Sequence, residues 1–164
     1  MAELDRLLPL ERVDARGAEL TVEATAAERA ALARRLAIPA VEALRCRFRL
    51  RRATLGSVDA DGVLEARVIR TSVVTLEEFA QDVAETFQLR FVPAGQERDD
   101  ADPEAPDEIP YDGAALNLGE AAAEQLALAL DPYPREPDAS FPEAAAEDDP
   151  APAPFAALAR LRRQ

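Results

Sequence analysis

Two periodicities organise this chain. From Val41 to Leu55, Arg45, Arg47, Arg49 and Arg51 recur at every second position, with Cys46, Phe48 and Leu50 between them. Successive side chains of a strand point to opposite faces, so this pattern predicts a strand with one basic and one apolar face. Gly56 to Gly62 is rich in turn formers, and Val63 to Val74 reads as the returning strand of a β-hairpin. Upstream, Leu8 to Val13 suits a short first strand. After Gly17-Ala18, Glu19 to Ala24 alternates polar and apolar as a second strand would. Thr25-Ala26-Ala27-Glu28 then has the form of a capping box, opening an Ala-rich helix to Leu36 that Pro39 prevents from continuing.

Thr75 to Val92 satisfies both periods. Phe79, Val83 and Phe87 lie four apart, as on one helix face, and Thr75 to Glu78 could cap such a helix. Phe87, Leu89 and Phe91 alternate as in a strand. The balance favours extended structure. Leu118 to Leu130 is a second helix, with Ala122, Leu126 and Leu130 on one stripe and Asp131-Pro132 ending it. No repeat of fixed period is present. The expected fold is α+β, a β-rich core with an Arg-faced hairpin and two main helices.

Charge divides the chain differently. All basic residues are Arg, and the formal net charge is -13. Residues 1–93 hold 14 Arg against 15 Asp and Glu, whereas residues 94–164 hold 5 Arg against 17. Residues 94–112 carry eight acids and three Pro, which predicts a solvated, flexible excursion. Residues 134–154 are again rich in Pro, Ala and acid, and Phe155, Leu158 and Leu161 mark a short amphipathic tail ending in Arg160, Arg162 and Arg163. The expected organisation is a domain over 1–135, followed by a flexible acidic linker and tail over 136–164.

Composition removes most chemistry. There is no His, the commonest general base and metal ligand. The lone Cys46 cannot form an internal disulfide, and on the apolar strand face it reads as a buried thiol. The paired acids Asp99-Asp100 and Asp148-Asp149 sit in low-complexity stretches with nothing to fix them, as catalysis would require. Asp59-Ala60-Asp61-Gly62 resembles the start of a calcium loop, but the ligand pattern does not continue through Arg70. No P-loop or dinucleotide fingerprint occurs. No catalytic residue, metal site or cofactor is expected. The start MAELDRLLPLERVD lacks a signal peptide's apolar segment, and no run approaches a membrane span, so a cytoplasmic setting without membrane contact is expected.

The arginine row remains. Same-face residues of a strand are about 6.6–7 Å apart, close to phosphate spacing along RNA. Guanidinium groups bind phosphate through paired hydrogen bonds. Arg45, Arg47, Arg49 and Arg51, with Arg52 beside them and Arg34 and Arg35 upstream, are therefore candidate contacts to RNA or another polyanion. The competing readings are a solvated strand face, an edge kept soluble by charge, or a strip neutralised by the acidic loop folding over it. Few aromatics accompany the row, so base stacking has little support.

Three segments resemble one family. They are Val68 to Glu77 (VIRTSVVTLE), Leu116 to Arg135 with its helix and Asp131-Pro132-Tyr133-Pro134, and the ending Pro154 to Leu158, which is similar to that of alphaproteobacterial members. Together they resemble the YceD-like large ribosomal RNA subunit accumulation proteins. The resemblance implies a β-rich mixed fold and a non-enzymatic role in accumulation of 23S rRNA or assembly of the large ribosomal subunit. The expected partner is 23S rRNA or an assembly intermediate; the alternative is a protein-interaction module for a basic ribosomal protein, toward which the acidic segments 97–112 and 136–149 could mimic RNA. Family members often carry Cys where this chain has Ser72, so a metal or redox role suggested for cysteine-rich relatives does not transfer to this chain.

Overall fold

The computed structural model describes residues 2–99 and 102–138. The linker expected from residue 136 is described only as far as Asp138, and the amphipathic tail lies outside the described residues. Strands β2 (Ala18–Glu23), β3 (Ala40–Arg52), β4 (Val58–Thr71), β5 (Glu78–Pro93) and β6 (Asp107–Tyr111) form one sheet in that order. The first four run antiparallel, and β6 lies parallel to β5. Helix α1 (Ala26–Arg35) connects β2 to β3, and α2 (Leu118–Ala129) is the last element among the described residues. A two-stranded ribbon pairs β1 (Leu7–Pro9) with β7 (Ala115–Asn117). The fold is α+β and strand-rich, as the periodicities predict.

Alternation decides what each strand buries. On β3, Leu44, Cys46, Phe48 and Leu50 are buried, and the residues between them are exposed. On β4 the inward row is Val58, Ala60, Gly62, Leu64, Ala66, Val68 and Arg70. The inner face packs against Leu4, Leu8, Leu32, Leu116, Leu118, Ala122 and Leu126. Its register is pinned where Phe48, Gly62 and Phe87 stand opposite one another across three strands. The two rings meet edge to face over the glycine, with centroids 5.8 Å apart and planes at 73°. A Cβ at Gly62 would lie 2.1 Å from Phe87 Cζ, so glycine is what admits the aromatic pair.

Thr75–Val92 resolves as extended. Phe79, Val83, Phe87, Leu89 and Phe91 all belong to the inward row of β5, because a spacing of four is a multiple of two. The segment Thr75 to Glu78 forms no helix cap; residues 73–75 make a turn instead.

Three expectations need correction. The turn expected over Gly56–Gly62 lies earlier, at Ala53 to Ser57, where Leu55 and Gly56 take positive φ of 57° and 81°. Val58 to Gly62 is strand because Asp59 and Asp61 face outward opposite Arg51 and Arg49, while Val58, Ala60 and Gly62 face the core. The excursion expected over 94–112 contains strand β6. Ile109 and Tyr111 carry the alternation, and Pro110 is tolerated because β6 is the sheet's last strand. Tyr111 Oη donates to Gly56 O at 2.7 Å, and Glu108 accepts from Arg98 Nε at 2.8 Å, which holds β6 from both sides. The first strand, expected over Leu8–Val13, is only β1, because a 3-10 turn at Leu10–Arg12 follows Pro9.

The N-terminal segment ties both helices to the sheet. The capping box read at Thr25 and Glu28 is formed: Thr25 N donates to Glu28 Oε2 at 2.8 Å, and Glu28 N donates to Thr25 Oγ1 at 3.4 Å. Arg6 joins it through Nη1 and Nη2 to the Glu28 carboxylate, at 2.7 and 3.0 Å. Arg6 O also accepts from Leu118 N at 3.0 Å, at the start of α2. Arg6 and the Thr25 backbone hold the Glu28 carboxyl down at about 2, against an ordinary 4.5. A carboxyl depressed in the folded state stabilises above its unfolded value, and this contribution is lost as pH falls through the folded value. The stability advantage of the native chain over Glu28→Gln should therefore be constant from pH 7 to about 5 and shrink between 4.5 and 2. Urea unfolding at several pH values measures it; an advantage unchanged at pH 2 would remove the pair from the account.

Candidate nucleic-acid interface

The outward row of β3 is where the sequence places it. Arg45, Arg47, Arg49, Arg51 and Arg52 are all exposed. What the arginine pattern alone does not reveal is what flanks them. Arg45 stands between Glu23 on β2 and Glu65 on β4, and Arg49 between Glu19 and Asp61. Arg51 stands opposite Asp59. Arg47 alone in the row has no acid directly opposite, with Thr21 on one side and Val63 on the other.

Side-chain contacts follow this grid. Arg49 Nε lies 3.0 Å from Glu19 Oε1, and Arg51 Nη2 lies 3.1 Å from Asp61 Oδ2. Asp59 is taken from the other side by Arg90 Nε at 2.7 Å, and Gln88 Nε2 donates to Asp61 Oδ1 at 3.1 Å. Further along, Arg67 bridges Glu42 and Asp82 at 3.1 and 2.9 Å. Arg45 and Arg47 enter no ion pair among the described residues. The face is thus a lattice of alternating sign, with its least compensated cation at Arg47. A shallow cavity of about 240 Å³ opens there, lined by Thr21, Arg47, Arg49, Asp61 and Val63 among others.

The remaining arginines have other employment. Arg52 donates from Nε to Val13 O at 2.5 Å and from Nη2 to Leu10 O at 2.6 Å, securing the turn after β1. Arg35 reaches Glu3 and Glu120 at 3.0 and 2.7 Å, joining α1 to the N-terminus and α2. Arg34 is exposed on α1 and enters no ion pair among the described residues.

The acids were legible in principle. Asp59, Asp61 and Glu65 continue the period of two on β4, but Asp59 and Asp61 beside Gly62 carry the same composition as a turn. The same alternation puts Arg70 and Ser72 inward, and both are buried. Ser72 Oγ accepts from Val74 N and Thr75 N, each at 3.2 Å, so a hydroxyl occupies this position as a turn-former.

A family model described as large ribosomal RNA subunit accumulation protein YceD matches residues 60–162. The chain belongs to this YceD family. The matched span begins within β4, so β2, β3 and the arginine row precede it. Comparison with curated proteins and with solved structures finds no match.

Cys46 is fully buried in this YceD-family chain, on the face opposite the arginines. Burial pushes its thiol up to about 12, so it stays protonated at neutral pH. Maleimide should label it at least about ten-fold more slowly in the native state than in urea, because the thiolate is the nucleophile. Equal rates would place the thiol at the surface and overturn the strand's orientation.

Proposed function

We propose that this chain supports accumulation of large-subunit ribosomal RNA without catalysing a reaction, by contacting precursor 23S rRNA or an early assembly intermediate in the cytoplasm. Membership of the YceD family carries this reading. The β3 row supplies the chemistry, with Arg47 as its centre and Arg45, Arg49 and Arg51 along the same backbone direction. Arg52 lies in the opposite register, across from inward-facing Val58, and with Nε and Nη2 committed to backbone carbonyls it contributes long-range charge only.

The existing ion pairs are a weak obstacle. Arg49 and Glu19 are 70% and 73% exposed, and such pairs contribute about 0–1 kcal/mol. A phosphate can therefore displace Glu19 or Asp61 at small cost. The binding would be sequence-tolerant, because phosphate contacts position a protein without reading bases. The chain's net negative charge opposes long-range attraction, so selectivity depends on RNA shape that brings phosphates to the row without bulk duplex against the acids.

Four phosphate contacts correspond to a log K against log salt slope of about -3 for single-stranded RNA. Replacing Arg45, Arg47, Arg49 and Arg51 together by Gln should weaken binding to 23S rRNA fragments at least about ten-fold at 0.1 M salt and flatten that slope. Filter binding across a salt series measures both, and unchanged affinity and slope would remove the row from the function.

One observation favours a second reading. The same face presents Glu19, Glu23 and Glu65, and the acid excess lies in residues 94–164, so a basic ribosomal protein could dock by charge complementarity. Because Asp107–Tyr111 is a strand, neutralising substitutions discriminate better than deletion. Changing Glu19, Glu23 and Glu65 to Gln leaves RNA binding equal or tighter under the first reading and abolishes ribosomal-protein binding under the second.

A further inference from the structure

Arg70 is the exception to the inward apolar row of β4. It is 6% exposed, and Nη2 donates to Asp131 O at 2.6 Å. Nη1 is buried without a hydrogen-bond partner among the described residues, and no carboxylate forms an ion pair with the guanidinium there. Burial lowers its proton affinity, opposed only by the charge of Asp131. Arginine nevertheless stays charged at neutral pH. A buried charge without a counter-ion is costly unless something supplies one.

The surroundings indicate what would. Arg70 lines a cleft of about 490 Å³ whose other walls include Leu36, Ile38, Pro39, Leu130 and Pro132. Val73 and Tyr133 flank it and are 44% and 70% exposed, large for apolar side chains in ordered turns. They are fixed relative to each other, because Val73 N donates to Pro134 O at 2.9 Å. In the same loop Leu76 is held at φ 61° with its side chain 78% exposed.

We infer that this cleft binds a segment of a partner protein that presents one carboxylate among apolar side chains, the carboxylate meeting Arg70 and the apolar groups covering Val73, Leu76 and Tyr133. A phosphodiester backbone fits poorly, since it repeats its charge along its length and the cleft offers a single guanidinium among apolar walls. Nη1 is shielded from water, so a ligand oxygen reaches it only as neighbouring side chains shift, which makes binding an induced fit. This site lies at the Arg70–Thr71 end of β4 and shares no residue with the arginine row on β3.

Acetyl-leucyl-leucine with a free carboxylate is a suitable probe, compared with its amide and with inorganic phosphate, by NMR titration of the 15N-labelled full chain. The acid should produce saturable shifts confined to residues 36–39, 70–76 and 127–134, with the amide at least about ten-fold weaker. Arg70→Met should abolish the difference between acid and amide. Since Arg70 also anchors Asp131, Ala127→Glu provides a variant at an exposed helix position on the cleft wall. It should retain the folded spectrum and bind the acid at least about ten-fold more weakly, by like-charge repulsion. Equal binding of acid and amide, phosphate binding tighter than peptide, no saturable binding of the acid, shifts elsewhere, or undiminished binding by Ala127→Glu would each overturn the inference.

Discussion

The Phe48–Gly62–Phe87 alignment across β3, β4 and β5 is the contact on which the sheet's two faces depend. The edge-to-face rings fit only over a residue without a side chain, so the three strands have one comfortable register. A slip of one residue would turn Arg47 and Arg49 into the core and expose Cys46 and Phe48. The exposed arginines and the buried apolar row are therefore two consequences of one packing constraint. Val58 to Gly62, despite its turn-like composition, is strand for the same reason: Gly62 must reach the aromatic pair.

On the outward side this register produces compensation rather than a uniform basic strip. Acids of β2 and β4 stand beside Arg45 and Arg49, while Arg47 stands beside Thr21 and Val63. Exposed pairs of this kind add little to stability, so the lattice mainly sets which ligand geometry is accepted. Under the proposed function, a polyanion that brings phosphates to one line is favoured over one that covers the whole face. This suits a factor of a ribosomal RNA accumulation family whose net charge would otherwise repel nucleic acid.

Much of this was legible in the residues. The β3 alternation, the Thr25–Glu28 capping box and the α2 stripe each rest on local spacing, and local spacing is what the chain reports directly. Asp59-Ala60-Asp61-Gly62 was misleading because Asp and Gly favour turns locally, whereas a tertiary contact with Phe87 decides their state. The strand at Asp107–Tyr111 was obscured by surrounding acid and proline, although Ile109 and Tyr111 alternate. The pairing of Arg49 with Glu19 spans thirty positions, and the anchoring of Arg52 on Val13 O spans thirty-nine, so neither has a local signature. Arg70 was visible as a charge in an inward register once β4 was in phase.

Two contacts are proposed for the chain: RNA along the middle of β3 and, separately, a carboxylate-bearing partner segment in the cleft at the end of β4. The first is the central claim, and its sharpest form concerns Arg47, the cation of the row with no acid directly opposite. NMR of the guanidinium Nε–Hε signals during titration with a 23S rRNA fragment tests it residue by residue. The account predicts that Arg47 shifts at the lowest RNA ratio, followed by Arg45, with Arg49 and Arg51 moving as their carboxylate pairs exchange and Arg52 little changed. Saturation of RNA binding with the Arg45 and Arg47 signals unmoved would contradict it.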